Sequence, residues 1–222
     1  MLKEVTQTIL LLVTGLFPII NPPASALIVL SLMPHATSAD LADLARRITI
    51  NSFAILLGSL LIGAYVLSFF GISIPVLRVA GGLVIGMAGW NLLQKPDDED
   101  RDDETQALQA HRSETSLAAK AFYPLTLPLT VGPGSIAVAI ALGTGSPREG
   151  PTASHFVGVG AALVILCASI YICVRFAGNL EKLLGAVGTQ VAMRLFAFVI
   201  FCIGVQLFWF GLSDLLASIP SK

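Results

Sequence analysis

Two short motifs place helix-breaking and polar residues inside long apolar runs, and they are the residues of this sequence best suited to bind a ligand. The first motif reads NPPAS at residues 21–25, and the second reads TVGPGS at residues 130–135. Proline has no amide proton, and its ring clashes with the carbonyl four residues back, so each motif should interrupt a helix and start a new one. Asn21 could cap the first new helix, and Thr130 or Gly132 could begin the second.

The chemistry of these breaks is electrostatic, although neither motif carries a charged side chain. The N-terminus of a helix presents free amides and about half a positive charge, which favours an anionic group such as a carboxylate. Carbonyls released on the other side of each break favour an ammonium group or a sodium ion. Together the two preferences describe a zwitterion, and a free amino acid is the simplest ligand of that kind.

The residues around the motifs restrict the ligand further. No aspartate or glutamate lies in the middle of an apolar run, so no carboxylate could neutralise a cationic side chain there. The motif residues are small, which predicts a compact, neutral substrate. Gln206 could line the same cavity, or it could make a hydrogen bond between helices. The predicted substrate-binding residues are Asn21, Pro22, Pro23, Ala24, Ser25, Thr130, Gly132, Pro133, Gly134, Ser135 and Gln206.

The composition indicates an all-α membrane protein. Of the 222 residues, 55% are hydrophobic and 12% are charged, and the mean hydropathy is +0.83. A soluble domain could not bury that much apolar surface. The formal net charge of -1 gives no basic field for nucleic acid, and the three cysteines lack the spacing of a disulfide framework or a metal site. Six apolar runs could each span a bilayer core of about 30 Å: 5–33, 44–70, 73–94, 118–144, 153–177 and 186–216.

A charged stretch between the third and fourth runs divides the chain into two similar halves. Residues 1–95 form a predicted three-helix repeat, residues 96–117 a charged cytoplasmic linker, and residues 118–222 a second three-helix repeat. A shift of 110 residues aligns the two motifs and matches Pro18 with Pro128. Because each half has three spans, the second should cross the membrane in the opposite sense to the first. We therefore expect six transmembrane helices as two inverted-topology repeats, with the first helix of each repeat broken at the midplane.

The distribution of lysine and arginine predicts the orientation. These residues are more frequent in the loops after the first, third and fifth apolar runs than at the opposite ends of the runs. Loops rich in lysine and arginine usually face the cytoplasm. Both termini are therefore predicted to lie outside.

Several stretches resemble the MarC family of bacterial inner-membrane proteins, which is related to the LysE-type exporters. They are NPPAS, FGIS leading into RVAGGLVIG at residues 70–86, and PLTLPLTVGPGSI at residues 124–136. The resemblance extends over all six apolar runs and implies a multi-pass transporter of the inner membrane with inverted three-helix repeats. Some relatives are described as carriers of small neutral amino acids such as glycine and alanine. Ala24 departs from the family, which more usually has glycine there, so a very tight backbone approach is less expected in the first half.

Other functions fit the sequence less well. Multidrug or small-metabolite efflux is the main alternative, but it would need a roomy aromatic cavity, and the 8% of aromatic residues are scattered. A passive channel would use the same breaks as a filter. An enzyme is not expected, because the sequence has no zinc-binding His-Glu-x-x-His motif. We expect an alternating-access transporter, surrounded by lipid, that needs no metal or cofactor. Coupling to H⁺ or Na⁺, the direction of transport and the presence of an oligomer are left open.

Overall fold

The computed structural model describes residues 1–33, 36–94, 117–143 and 153–218, and these residues are helical without any strand. The predicted charged linker lies outside the described residues except for Leu117, where a helix begins. The elements in chain order are α1 (Leu2–Ile20), α2 (Pro22–Leu32), α3 (Ser38–Phe69), α4 (Ile74–Gln94), α5 (Leu117–Lys120), a π-helical segment (Ala121–Thr130), α6 (Pro133–Gly143), α7 (Ala153–Arg175) and α8 (Ala177–Ala217).

Within the described residues, 5 stretches are long and apolar enough to cross a membrane. These stretches are Leu2–Leu30, Ser38–Phe69, Ile74–Gln94, Ala153–Arg175 and Val187–Ala217. The predicted fourth span is instead divided among α5, the π-helical segment and α6. Helix α6 has 11 residues, which is too short to cross a bilayer without the preceding segment. The all-helical membrane class is confirmed, whereas the six-helix inverted repeat stays a prediction.

Local sequence explains where the long helix α3 begins and ends. The Thr37 hydroxyl accepts a hydrogen bond from the Asp40 amide at 3.2 Å, and the Asp40 carboxylate accepts one from the Thr37 amide at 2.9 Å. This reciprocal capping box satisfies two amides that the first turn of a helix leaves free. At the other end Gly71 adopts a φ of 68°, a left-handed conformation that lets the chain turn sharply into α4.

Helices α4 and α8 form a closely packed pair through glycines. A Cβ atom added to Gly89 would lie 2.5 Å from the backbone nitrogen of Phe201, and one added to Gly82 would lie 2.7 Å from the Gly204 carbonyl oxygen. The absence of side chains therefore lets the two backbones touch, as the small-residue spacing in α4 predicts. An ion pair of 2.7 Å between Arg78 and Asp214 joins the same two helices near one end of the pair.

The remaining interfaces join the two halves of the chain to each other. Helix α1 runs beside α7, where the Ser154 hydroxyl donates to the Glu4 carboxylate at 2.9 Å. Helix α3 packs against α6 and α7, and α4 packs against α6 as well as α8. Among the described residues, no two helices of residues 1–95 share an extensive interface. The halves are therefore interleaved around one core and do not form separate lobes.

Candidate functional site

The first break is a single residue, Asn21, between α1 and α2. Its φ of 45° and ψ of 65° are left-handed, a conformation that asparagine adopts more easily than most residues. The Asn21 amide donates to the Phe17 carbonyl at 2.8 Å and ends α1. Its side-chain oxygen accepts a longer hydrogen bond, 3.4 Å, from the Ala24 amide and caps α2. The predicted break and the predicted capping role of Asn21 are both confirmed.

The residues after Asn21 are enclosed by protein. Pro22 is buried and Pro23 is half-buried, while Ala24 is 3% and Ser25 4% exposed. The Ser25 hydroxyl donates to the Ile20 carbonyl at 2.9 Å. A serine of the motif therefore satisfies the last carbonyl of α1, which the break would otherwise leave without a donor.

The second break is longer than the first, and it begins upstream of the predicted position. The segment from Ala121 to Thr130 is π-helical, and Tyr123 and Leu127 inside it have extended backbone angles. Each of these two residues precedes a proline, and a residue before proline is disfavoured in the α conformation. The dipeptides Tyr-Pro and Leu-Pro were thus the sequence signal for the upstream disruption, whereas our prediction relied on Pro133.

Side-chain hydroxyls donate hydrogen bonds to backbone carbonyls along the second break. The Thr126 hydroxyl donates to the Ala121 carbonyl at 2.7 Å, and the Thr130 hydroxyl donates to the Leu125 carbonyl at 2.8 Å. Both bonds reach back five residues, as the wider turn of a π-helix requires. A cation at these carbonyls would therefore compete with a hydroxyl, which the prediction of freed carbonyls did not anticipate.

Helix α6 begins beyond the break and resembles α2 in length. Both helices contain 11 residues and start at a proline. The Ser135 hydroxyl donates to the Gly132 carbonyl at 2.9 Å, and Ser135 is 1% exposed. Gly132 is half-buried and Pro133 is exposed, so the start of α6 is more accessible than the start of α2.

Gly134 has a packing role that its small size alone did not predict. A Cβ atom added to Gly134 would overlap the side chain of Ile85 in α4. The neighbouring turn of α6 is equally close, since a Cβ atom on Gly81 would lie 2.8 Å from the Ala137 side chain. Gly134 therefore allows α6 to approach α4.

The elements that carry the two motifs pack against each other and against the α4–α8 pair. Helix α2 contacts the π-helical segment, and α1 contacts α6. Helix α2 also packs against α8, as α6 does against α4. The elements that hold the two breaks are therefore in contact with each other.

Helix α3 adds polar groups to this region that the sequence prediction did not include. The Asn51 amide nitrogen lies 3.5 Å from the Thr126 hydroxyl, which ties α3 to the π-helical segment. The hydroxyl of the adjacent Ser52 is fully buried and has no hydrogen-bond partner among the described residues. A buried hydroxyl without a partner is costly, so Ser52 is a candidate to bind a ligand or an ordered water.

Gln206 does not lie among the other predicted site residues. It is exposed, and it follows Gly204 by two positions in α8, so it points away from the face that touches α4. In this structure α8 turns its glycine face toward α4, so Gln206 is not brought together with the other predicted site residues. No described residue makes a hydrogen bond to its amide, and an interhelical bond by Gln206 stays a prediction.

The cavities described in the structure lie outside the motifs. One, of about 410 Å³, adjoins the turn between α3 and α4, and another, of about 270 Å³, is a groove between α4 and α8. Within residues 1–33, 36–94, 117–143 and 153–218, no group of three or more histidine, cysteine, aspartate or glutamate residues could hold a metal ion. The motif residues Ser25, Thr130 and Ser135 are buried, whereas Pro133 is exposed.

Helices of membrane-spanning length, with helix breaks before α2 and before α6, define a multi-pass integral membrane protein. The chain belongs to the MarC family of integral membrane proteins, whose family model matches residues 6–216. This family was the one that the sequence motifs resemble, so the assignment from those motifs is confirmed.

Curated relatives agree with this assignment. The chain is 29% identical over 203 residues to the inner membrane protein MarC of Salmonella typhimurium, covering 90% of this chain and 92% of the relative. The identity to the inner membrane protein MarC of Citrobacter koseri is also 29%, and to that of Escherichia coli it is 28%, with the same coverage. No solved structure matches the chain. Location in the inner membrane agrees with the names of these relatives and with the apolar helices of the chain.

Proposed function

We propose that the chain is a secondary transporter that carries small neutral amino acids, such as glycine and alanine, across the bacterial inner membrane. The observation that carries this proposal is the pair of 11-residue helices, α2 and α6, each starting at a proline directly after a helix break. Membrane transporters use such discontinuous helices to bind a substrate carboxylate at free amides. The Gly132 region, where α6 begins, is the proposed carboxylate-binding end. In the first turn of α2, Pro22 and Pro23 have no amide proton and the Ala24 amide donates to Asn21.

The proposed fold is an inverted repeat in which α1 and α2 correspond to the segment from α5 to α6. Similar lengths of α2 and α6, and a buried serine bonded to a break carbonyl in each half, support the correspondence. In this arrangement both termini lie outside, and residues 96–117 face the cytoplasm. The excess of lysine and arginine in the loops after the first, third and fifth apolar runs supports that orientation.

The proposed moving unit is the α4–α8 pair and not one half of the chain. Backbone contact at Gly82 and Gly204, together with the Arg78–Asp214 ion pair, holds α4 and α8 as one body. Helix α2 contacts α8 of this pair, and α6 contacts α4. Rocking one half against the other would break the interleaved interfaces, whereas displacing the pair would open the α4–α6 interface beside Gly134.

The direct test is uptake of a labelled amino-acid panel into proteoliposomes, with sodium and proton gradients imposed separately. We expect saturable uptake of glycine and alanine, a response to one of the two gradients, and little uptake of lysine or glutamate. Uptake that a lipophilic drug inhibits and glycine does not would contradict the proposal and favour efflux. Non-saturable flux would favour a channel.

Two serines with the same kind of hydrogen bond distinguish an effect on the proposed site from an effect on helix stability. Ser135→Ala removes the hydroxyl that occupies the Gly132 carbonyl, and Ser169→Ala removes a hydroxyl bonded to the Leu166 carbonyl three residues back in α7. The two bonds have the same local form, but only the first lies at a motif. We expect Ser135→Ala to weaken glycine binding about tenfold, a loss of about 1.4 kcal/mol, and Ser169→Ala to leave it unchanged. Equal effects of the two substitutions would refute the assigned site.

A further inference from the structure

The outer face of α8 carries the side-chain amide of Gln206 at a depth where lipid offers no hydrogen-bond partner. Gln206 lies between Gly204 and Phe208, whose backbones meet Gly86 and Gly82 of α4. Its level therefore corresponds to the middle of α4, about 15 Å from either end at 1.5 Å per residue. This is the depth at which a bilayer offers neither water nor headgroups.

Gln206 differs from the exposed Thr14 of α1 in how its polar group is satisfied. The exposed Thr14 in α1 satisfies its hydroxyl by donating to the Leu10 carbonyl at 2.6 Å. Gln206 has no hydrogen-bond partner among the described residues. A primary amide offers two donors and an acceptor, and leaving it unpaired in hydrocarbon is unfavourable.

The residues beside Gln206 form a regular helix face. Spacings of four and three residues alternate along it, which is the seam geometry of two helices that pack side by side. Its members are Leu195, Val199, Cys202, Gln206, Trp209, Ser213 and Leu216. All are exposed except Ser213, which is half-buried and donates its hydroxyl to the Phe210 carbonyl at 2.9 Å. One polar residue at the centre of an otherwise mostly apolar seam is a feature that fixes the register of paired helices.

We propose that the outer face of α8 is a homodimer interface in which Gln206 of one copy hydrogen-bonds to Gln206 of a second copy. A second copy fits because an amide is self-complementary: about a two-fold axis, each Gln206 donates an N–H to the oxygen of the other. An isologous interface of this kind is also the commonest form of oligomer. The interface lies on the side of α8 opposite α4 and leaves the two motifs unobstructed. It does not depend on the transported substrate.

Cysteine cross-linking in native membranes tests the geometry, because Cys202 already lies one turn from Gln206. The background carries alanine in place of Cys167 and Cys173, and Cys202 is the remaining cysteine. The control moves that cysteine to Val164, which is 63% exposed and lies midway along α7. We expect an oxidant to link the Cys202 protein into a dimer and to leave the Val164→Cys, Cys202→Ala protein largely monomeric. Equal yields from the two positions, or a product containing a different protein, would overturn the proposal.

Substitution of Gln206 tests the hydrogen bond itself. Gln206→Leu removes the amide at similar volume and improves the match to lipid, so folding should be retained. We expect the dimer dissociation constant in liposomes, measured by single-molecule photobleaching across dilutions, to rise about tenfold, which corresponds to about 1.4 kcal/mol. Gln206→Asn should keep most of the association. An unchanged dissociation constant for Gln206→Leu would refute the assigned role of the amide.

Discussion

The substitution Gly134→Ala gives the sharpest test of how α6 packs against α4, because the methyl group that it adds would meet one defined neighbour. A Cβ atom at this position would overlap the Ile85 side chain, and Ile85 is only 4% exposed. Ile85 is β-branched and has one strongly preferred χ1 rotamer in a helix, so it cannot simply swing away. We expect Gly134→Ala to lower the free energy of unfolding by about 1–3 kcal/mol through overpacking.

A double-mutant cycle with Ile85→Ala identifies the partner. Ile85→Ala alone should cost about 2–5 kcal/mol by leaving a cavity. In the double variant the added methyl group occupies part of that cavity, so the total loss should fall short of the sum by about 1–2 kcal/mol. Unfolding by SDS in mixed micelles would measure all three values.

Gly160 supplies a control on the same scale. A Cβ atom at Gly160 in α7 would meet nothing within 4 Å, so Gly160→Ala should be neutral or stabilising by up to about 1 kcal/mol. Additive losses at Gly134 and Ile85 would refute the packing explanation. If Gly134→Ala kept full stability but lost glycine binding, Gly134 would instead be a residue that the substrate approaches closely.

Three further predictions concern polar groups of the described helices. Asn21→Ala should destabilise the protein by about 1–3 kcal/mol, through left-handed strain and a lost cap, whereas Asn21→Gly should cost only a few tenths; thermal unfolding in detergent would compare them, and equal losses would contradict the backbone argument. Ser52→Ala should stabilise the ligand-free protein by about 1–3 kcal/mol, because it removes a buried unpaired hydroxyl, and should weaken glycine binding; a loss of stability would show that the hydroxyl is satisfied. Arg78→Ala should cost less than about 1 kcal/mol, because the ion pair with Asp214 is partly exposed, and exchanging the two residues should restore the loss; a larger loss that the exchange does not restore would indicate that Arg78 acts outside this pair.

Local sequence was enough to predict the first break and the packing glycines of α4. Proline chemistry located the interruption at Asn21, since the rule depends only on the backbone four residues away. The small-residue spacing from Gly81 to Gly89 indicates close helix contact for a similarly local reason. The upstream disruption at Tyr123 was also within reach, because each extended residue directly precedes a proline.

What the sequence did not predict depended on which helix faces meet. Sequence placed Gln206 deep in a span but could not tell the inner face of α8 from its outer face, because both are largely apolar. The orphan hydroxyl of Ser52 was missed for the related reason that most serines in helices satisfy themselves on a nearby carbonyl. That Gly134 would meet Ile85 follows from the approach of α6 to α4, which no spacing within either helix encodes.

Interleaving of the two halves has a consequence for biogenesis. Helices of a membrane protein insert first and associate afterwards. Residues 1–95 emerge from the ribosome before the second half exists, yet their extensive interfaces are made with that second half. The helices of the first half are therefore expected to be inserted but only loosely associated at first. Final assembly of the protein follows insertion of its last three apolar segments.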